Sequence, residues 1–311
     1  MSLGRVIKGV GGIYTVLDLD TKEYVTLGLR GKLRYMVVDK NSAFNKQITH
    51  KTKLETKTIK ISPKVGDYVL YSDNIITEIK PRINDLIRPS IANVDQVLLL
   101  FAAKKPDFQL NLLDQFLVLM EEENVKAKII ITKIDLLTEE ELINMKEVLS
   151  YYEKIGYEVF FVNSKTKEGF ESILPIFKDK ISVLSGQTGA GKSTFINSLI
   201  PGFNLQTQEI SEALGRGKHT TTATELYEFE GGFIGDTPGF SKLDFSIMEV
   251  EDLKEYFIEF RNYDCKYRGC LHDKEPMCGI KEAVTNGEIL KERYENYLKF
   301  LTTIRQTAKK Y

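Results

Sequence analysis

The fold is decided by one stretch of this chain, Gly186-Gln187-Thr188-Gly189-Ala190-Gly191-Lys192-Ser193. It has the pattern G-x-x-x-x-G-K-S of a phosphate-binding loop. The apolar run Ile181–Leu184 comes before it and predicts a buried strand, and Thr194–Ile200 comes after it and predicts the start of a helix. A strand, a glycine-rich turn and a helix in this order are the context that the pattern requires. The stretch therefore predicts a P-loop domain.

The residue types of this loop suit the binding of phosphate. Glycines let the backbone bend tightly, so successive N–H groups point inward at a β-phosphate, and the following helix adds positive potential. Lys192 is predicted to reach the β- and γ-phosphates and to act in catalysis, and Ser193 to supply a hydroxyl to magnesium. Thr194 completes the predicted nucleotide-binding segment.

A second motif, Asp236-Thr237-Pro238-Gly239, follows the short apolar run Gly232–Gly235. Asp236 is predicted to hold magnesium through water, and the N–H of Gly239 to contact the γ-phosphate. The segment Gly215–Thr222 lies between the two motifs and has the composition of a mobile switch loop. One of its threonines is expected to bind magnesium, and we favour Thr221 or Thr222, although they could equally start the strand predicted over Ala223–Tyr227.

A third motif, Thr132-Lys133-Ile134-Asp135, ends the apolar run Lys128–Ile131 and resembles a guanine-reading motif. Asp135 can accept hydrogen bonds from N1–H and the 2-amino group of guanine, and adenine offers neither donor there. Lys133 would stack its stem over the base. The usual first residue is Asn, so Thr132 is a departure that leaves the discriminating carboxylate in place. A further strand, Val159–Val162, ends at Asn163 and Ser164, and Ser164 is placed to offer its backbone N–H to guanine O6.

The order of these motifs is unusual. In an ordinary GTPase the phosphate loop precedes the guanine motif, whereas here Thr132–Asp135 precedes Gly186–Ser193. The two motifs together predict a circularly permuted GTPase domain. Permutation costs little when the old termini lie close together at the surface.

Length and composition indicate the general class of the protein and its number of domains. The chain has 311 residues, is 42% hydrophobic and carries a net charge of −1, as expected for a globular protein of two or three domains. Residues 1–80 hold 14 Lys and Arg against 8 Asp and Glu, a net of +6, which fits either a solvated surface or contact with a polyanion. We see no signal peptide and no bilayer-spanning apolar run, and therefore expect a cytoplasmic protein.

The N-terminal residues 1–80 contain short β-like runs, predicted as strands over Gly9–Leu17, Arg34–Val38 and Asp67–Tyr71. The first of these is predicted to bend at its glycines, Gly11 and Gly12. The polar run Lys51–Lys57 is predicted as a mobile loop. A small five-stranded OB-type barrel fits, and such barrels commonly bind RNA, although other small barrels fit nearly as well.

Residues 81–180 alternate predicted strands and helices, which indicates a mainly parallel sheet. A strand is predicted over Val94–Phe101, a helix over Leu110–Glu123 from its apolar spacing, and another helix after Thr138, which forms a capping box with Glu141. The fold class is thus α/β and multidomain, with domains at 1–80, 81–243 and 244–311.

The C-terminal residues 244–311 are helical in pattern and charged, and contain the chain's three cysteines together with one of its three histidines. Cys265, Cys270, His272 and Cys278 have the spacing C-x4-C-x-H-x5-C. Three thiolates and an imidazole complete a tetrahedral set for one structural zinc ion. The alternative is a chance cluster of buried cysteines. Nearby Arg261, Lys266 and Arg268 could contact phosphates or be solvated.

Taken together, these features resemble the bacterial ribosome small subunit-dependent GTPase A family, also called RsgA, YjeQ or YloQ. The resemblance covers essentially the whole chain and is weakest in the first domain. It depends on the permuted order, on the segments Gly215–Thr222 and Arg88–Gln96, and on the cysteine spacing. It implies an OB domain, a permuted GTPase and a zinc domain. It also implies a role in late maturation of the small ribosomal subunit, with slow intrinsic hydrolysis stimulated by that subunit, and the subunit and its rRNA as partners.

The resemblance bears on catalysis as well. Phe240 follows the Asp236–Gly239 motif where many GTPases place a water-orienting Gln, so intrinsic hydrolysis is expected to be poor. Members of the family are thought to use the switch-loop histidine, here His219, and the subunit could order that loop. The alternative is that His219 only contacts RNA or packs in the loop. Hydrolysis would then release the protein as a timed checkpoint.

Two other functions stay open. One is an ATPase or a small-molecule P-loop enzyme, against which Asp135 argues. The other is a nucleotide-gated RNA-binding module whose turnover is incidental. The expected cofactors are GTP or GDP, Mg²⁺ and one Zn²⁺, and a monomer is favoured.

Overall fold

The computed structural model describes residues 1–29, 35–39, 56–86, 90–200, 224–236 and 248–308. They belong to two compact units, which we describe one at a time. The first unit contains residues 1–97, 171–185 and 193–240, and the second contains 98–170, 186–192 and 241–311. The three domains predicted from the sequence stay a prediction.

The strands of the described residues are β1 Ser2–Val10, β2 Ile13–Asp18, β3 Tyr24–Leu29, β4 Tyr35–Asp39, β5 Thr56–Lys60, β6 Tyr68–Ser72, β7 Ile75–Ile79, β8 Asp85–Leu86, β9 Ile91–Ala92, β10 Gln96–Ala102, β11 Lys126–Thr132, β12 Glu158–Phe161, β13 Ile181–Gly186, β14 Glu225–Phe229 and β15 Gly232–Asp236. Their α-helices are α1 Leu110–Glu122, α2 Glu139–Lys154, α3 Phe170–Ile173, α4 Lys192–Leu199, α5 Gly279–Thr285 and α6 Lys291–Ala308. Short 3-10 helices cover Ile134–Leu136, Leu174–Phe177, Leu253–Tyr256 and Ile258–Asn262.

The first unit begins with a five-stranded barrel. Its strands pair in the order β1-β2-β3-β7-β6, and β6 closes the ring by pairing with β1. Only β3 and β7 are parallel in this ring. Alternate side chains point inward, as the two-residue period of a strand requires, and Val6, Val16, Leu27 and Val69 form part of the buried core. The expected OB-type barrel is confirmed.

Two predicted elements of this region need correction. The expected strand Gly9–Leu17 is a hairpin, because Gly11 and Gly12 take φ values of +61° and +83° and turn β1 back into β2. Thr56 and Lys57, expected in a loop, begin β5, where antiparallel pairing with β4 satisfies their backbone groups. Residues 51–55, the rest of that predicted loop, lie outside the described residues.

The rest of the first unit includes β14, β15 and β13 up to Ser185. β13 and β15 are parallel, and β14 is antiparallel to β15 and contacts β1 at Lys8 and Glu225. The parallel register places Ser182 beside Ile234, so Asp236 lies at the edge of the sheet where β13 ends. That is the edge at which ligands bind in open α/β sheets.

The second unit contains the other strands of the α/β region. β11 neighbours β10 and β12, and β11 and β12 are parallel. β10 is buried along its whole length, as expected for a strand covered on both faces. α1 buries one face through Leu113, Phe116 and Leu117, and Thr138 and Glu141 cap α2 with the predicted capping box. The mainly parallel α/β fold is confirmed, with boundaries shifted by one or two residues.

The C-terminal part of the second unit shares a hydrophobic core with Val118 of α1. The 3-10 helices Leu253–Tyr256 and Ile258–Asn262 pack with α5 and α6 around Phe257, Tyr297 and Phe300, with Cys270 and Cys278 in the same core. Among the described residues, no helix has the length and apolar character needed to cross a membrane.

Candidate functional site

The loop between β13 and α4 has the backbone shape that phosphate binding needs. Gly186, Gly189 and Gly191 take positive φ values of 117°, 77° and 86°. At Gly186 only glycine fits, because a Cβ would lie 2.2 Å from the carbonyl oxygen of Leu100. The N–H of Gln187 donates to that same oxygen at 2.9 Å and anchors the start of the loop. Such bends turn successive N–H groups toward one point, where an anion can bind.

Lys192 begins α4 and folds back over the loop. Its Nζ donates to the carbonyl oxygens of Gln187 at 3.0 Å and Gly186 at 3.3 Å. Burial lowers the pKa of Lys192. Because an anion beside the ammonium group offsets that loss of solvation, the position favours a phosphate partner.

The motif Thr132–Asp135 contacts the phosphate loop directly. Thr132 is buried at the end of β11, and its Oγ1 lies 2.6 Å from the carbonyl oxygen of Ala190 and 3.2 Å from that of Phe101. Lys133 takes a φ of 58° and donates from Nζ to the carbonyl oxygens of Gly189, at 2.7 Å, and Lys105. The threonine that departs from the usual Asn therefore still joins the two motifs through its hydroxyl.

Asp135 follows in the 3-10 helix Ile134–Leu136, with Ile134 buried beneath it. Its carboxylate is half-exposed, 3.4 Å from Nζ of Lys165. Asn163 is buried and its Oδ1 accepts from the N–H of Lys165 at 2.9 Å, which holds the loop that carries Ser164. The structure thus brings together the two segments predicted to read the base.

Other predicted residues occupy the expected elements. Ser193 lies in the first turn of α4 with Thr194 after it, and Asp236 ends β15. The predicted residues His219, Thr221, Thr222, Gly239 and Phe240 lie outside the described residues, and their roles stay predictions.

The four predicted metal ligands come together in the second unit. Their ligand atoms in Cys265, Cys270, His272 and Cys278 lie within 4.8 Å of one another. Nδ1 of His272 is 3.4 Å from the Sγ atoms of Cys265 and Cys278, and those two sulfurs are 3.7 Å apart. Three sulfurs and one imidazole nitrogen are a donor set that suits tetrahedral zinc, so these residues fit the ion. We call residues 265–278 the metal knuckle.

The protonation of these ligands also fits metal binding. Burial lowers the pKa of His272 to about 4, with a smaller contribution from Lys254, so the imidazole is neutral. Burial raises the pKa of Cys270 to about 12 and also raises that of Cys278. Thiols so reluctant to ionise would become thiolates only on binding a cation.

Residues that the sequence reasoning missed hold the metal knuckle in shape. Glu275 accepts from the N–H groups of Leu271 at 3.0 Å and Asp273 at 2.9 Å. From α6, Tyr294 donates to the carbonyl oxygen of His272 at 2.6 Å, and Tyr297 to that of Leu271 at 2.7 Å. Glu275 lies between the ligands His272 and Cys278 in the sequence, so its position alone could have indicated a role in the metal knuckle. The two tyrosines lie farther along the chain, where no such indication exists.

The comparisons with known proteins agree with this geometry. The family model described as RsgA GTPase matches residues 79–246. The chain is 45% identical over 318 residues to "Small ribosomal subunit biogenesis GTPase RsgA 2" of Oceanobacillus iheyensis, covering 100% of both chains. It is 41% identical over 319 residues to the protein named "Small ribosomal subunit biogenesis GTPase RsgA" of Bacillus subtilis, again covering 100% of both.

Two solved structures are similar over nearly the whole chain. YjeQ from Thermotoga maritima matches with a TM-score of 0.81 and 34% identity, covering 97% of this chain and 98% of that one. YloQ, described as a circularly permuted GTPase, matches with a TM-score of 0.76 and 36% identity, covering 98% and 96%.

Proposed function

This chain belongs to the RsgA GTPase family, and from that premise we propose that it hydrolyses GTP during maturation of the small ribosomal subunit. The observation that carries the proposal is the joining of two motifs. Thr132 and Lys133, beside the base-reading Asp135, bond to the carbonyl oxygens of Ala190 and Gly189 in the phosphate loop. A nucleoside triphosphate would bind along that junction, with its phosphates at the loop and its base at Asp135.

The roles of the side chains follow from their chemistry. Lys192 would balance charge on the β- and γ-phosphates, and Asp135 would accept two hydrogen bonds from guanine. Ser193, Asp236 and a switch threonine, Thr221 or Thr222, would hold Mg²⁺. The magnesium ion supplies charge stabilisation for the transferred phosphoryl group.

We assign one structural zinc ion to the metal knuckle. All four protein ligands are present, so no position is left open for substrate, and the ion would stabilise the fold rather than react. The predicted role of His219 is to position the attacking water once the switch loop is ordered.

The partner in this proposal is the small ribosomal subunit with its rRNA. The names of the relatives support this, as does the OB-type barrel, a fold that binds RNA in other proteins. The subunit would order the switch loop, stimulate hydrolysis and then release the protein, which would act in the cytoplasm as a monomer and an assembly checkpoint.

The direct test measures GTP hydrolysis with and without purified small ribosomal subunits, for the wild type and for His219→Ala. We expect strong stimulation that the variant loses. Stimulation that survives the substitution would keep the function and reject the role of His219. Nucleotide-dependent binding of subunits without stimulation would favour a gated RNA-binding module.

A second test addresses the base. Asp135→Asn replaces an acceptor with a donor, so we expect weaker binding of GTP and improved binding of xanthosine triphosphate, whose base presents an oxygen in place of the 2-amino group. Equal binding of ATP and GTP by the wild type would instead support an ATPase or a small-molecule P-loop enzyme.

A further inference from the structure

One side chain of the phosphate loop has contacts that the motif does not require. The pattern G-x-x-x-x-G-K-S leaves Gln187 unspecified, yet its side chain is buried at 7% exposure. Its Oε1 accepts from the N–H of Ala102 at 3.2 Å, and its Nε2 donates to the carbonyl oxygen of Asp107 at 2.9 Å. Both polar atoms of the carboxamide are therefore used, the oxygen as an acceptor and the nitrogen as a donor.

These contacts fasten the loop to the segment between β10 and α1. Ala102 ends β10 and is fully buried, and Asp107 lies just before α1. Lys133 fastens the same segment from the guanine motif, because its Nζ bonds to the carbonyl oxygens of both Lys105 and Gly189. The segment 102–107 is thus held between the phosphate loop on one side and the base-reading motif on the other.

The packing at this point leaves little freedom. A Cβ placed on Gly189 would lie 3.2 Å from Cδ of Pro106, so the far side of the phosphate loop touches the same segment. The turn from Gln187 to Ala190 is closed by a hydrogen bond from the N–H of Ala190 to the carbonyl oxygen of Gln187, at 3.1 Å. Any displacement of Gln187 would move the N–H groups of this turn.

We propose that Gln187 is a positioning residue for nucleotide binding, which holds the N–H groups of the phosphate loop in place by bonding through its carboxamide to Ala102 and Asp107. This role rests on the proposed binding of guanine nucleotide at the loop. The side chain of Gln187 is proposed to touch no substrate atom itself. It affects the affinity for the phosphates of GDP and GTP through the position of the loop.

The test exchanges single atoms of the carboxamide. Gln187→Glu keeps the acceptor for Ala102 but turns a carboxylate oxygen toward the carbonyl oxygen of Asp107. We expect GDP and GTP to bind about 10- to 100-fold more weakly at pH 8. Burial and the facing carbonyl raise the pKa of the new carboxyl, so it gains a proton, and the donor to Asp107 returns as the pH falls toward about 5.5. The ratio of variant to wild-type Kd should therefore shrink with falling pH.

Two further variants separate positioning from folding. Gln187→Met removes both hydrogen bonds, and we expect about tenfold weaker binding at every pH. The matched control is Gln96, a second buried glutamine in β10, whose Nε2 donates to the carbonyl oxygen of Ile176 at 2.7 Å and to Oγ of Ser182 at 2.8 Å. Gln96→Glu should lower the melting temperature and leave the Kd of folded protein unchanged.

The outcomes are distinct. A Kd that rises in both Gln187 variants and recovers at low pH only in Gln187→Glu supports the role. Wild-type affinity in Gln187→Glu at pH 8, a loss that Gln96→Glu shares, or a ratio that does not change with pH would overturn it. If the wild type binds no guanine nucleotide, the proposed function fails as well, and with it this role.

Discussion

Each unit contains a buried arginine that is surrounded by carboxylates, and the two clusters stabilise those carboxylates in different ways. Arg82 in the first unit donates from Nε and Nη2 to the two carboxylate oxygens of Asp67, both at 2.7 Å, and from Nη1 to Asp85 at 2.8 Å. Lys64 also pairs with Asp85. Among the described residues, two carboxylates therefore face two cations in this cluster.

Arg293 in the second unit faces two carboxylates without a second cation among its described contacts. It donates to Glu259 at 2.5 and 3.0 Å and to Asp114 at 2.6 Å. Asp114 also accepts from Tyr152 at 2.8 Å and Asn296 at 2.7 Å. Burial raises the pKa of the Asp114 carboxyl, and the charge of Arg293 partly offsets this increase. In this cluster the neutral donors Tyr152 and Asn296 stabilise the second carboxylate, as the cation Lys64 does in the Arg82 cluster.

The two clusters also differ in how much chain they connect. The Arg82 cluster joins residues within the short stretch 62–85, whereas the Arg293 cluster joins α1, the 3-10 helix Ile258–Asn262 and α6. The guanidinium of Arg293 also lies 4.7 Å above the ring of Phe257, in the core of the C-terminal part. A single buried cation can thus join distant helices when each of its three nitrogens donates a hydrogen bond.

Loss of Arg293 should have the largest effect on stability. Arg293→Met leaves two buried carboxylates without their cation, and we expect the free energy of unfolding to fall by about 3–5 kcal/mol. Urea unfolding measures it. The double variant Arg293→Met with Asp114→Leu removes one uncompensated charge and should recover part of the loss. A double variant less stable than Arg293→Met alone would contradict this explanation.

Loss of Arg82 should lower the free energy of unfolding by less than loss of Arg293 does. In Arg82→Met, Lys64 still pairs with Asp85, so only Asp67 loses its cation, and we expect a decrease of about 2–3 kcal/mol in the free energy of unfolding. The same urea titration gives the value. If Arg82→Met proves as destabilising as Arg293→Met, the charge balance of the two clusters does not decide their strength.

Sequence reasoning found what is local in the chain. The phosphate loop, the guanine motif and the metal ligands are each contained in a short segment, and the first two follow the apolar strands β13 and β11. The parallel α/β fold, the barrel and the permuted order could therefore be predicted.

Contacts between distant segments could not be predicted in this way. Asp114 and Arg293 are far apart in the chain, and nothing in their surrounding residues distinguishes them from surface charges. The same holds for the side chain of Gln187, whose partners belong to another loop, and for Tyr294 and Tyr297 behind the metal knuckle. The hairpin at Gly11 and Gly12 was a local signal that we interpreted as a bend within one strand.

The metal knuckle should be coupled to one arginine cluster and not to the other. Phe257 lies under Arg293, and its ring contacts Tyr297, with ring centroids 5.1 Å apart; Tyr297 bonds to Leu271 of the knuckle. We expect Cys265→Ser and Arg293→Met to show a coupling energy of about 1 kcal/mol in a double-mutant cycle. Cys265 and Arg82 belong to different units, and Cys265→Ser and Arg82→Met should add within about 0.5 kcal/mol. Equal coupling in both cycles would mean that loss of the metal acts on the whole chain.

The smallest effect is expected where an ion pair is exposed. Lys8 in β1 and Glu225 in β14 are 2.7 Å apart, yet their side chains are 41% and 29% exposed. Water screens such a pair, so a double-mutant cycle with Lys8→Ala and Glu225→Ala should give about 0.5 kcal/mol, falling further in 1 M salt. The strands themselves hold this junction through backbone pairing at the same two residues. A coupling energy near that of the buried clusters would show that burial is not what separates Arg82 and Arg293 from an ordinary surface pair.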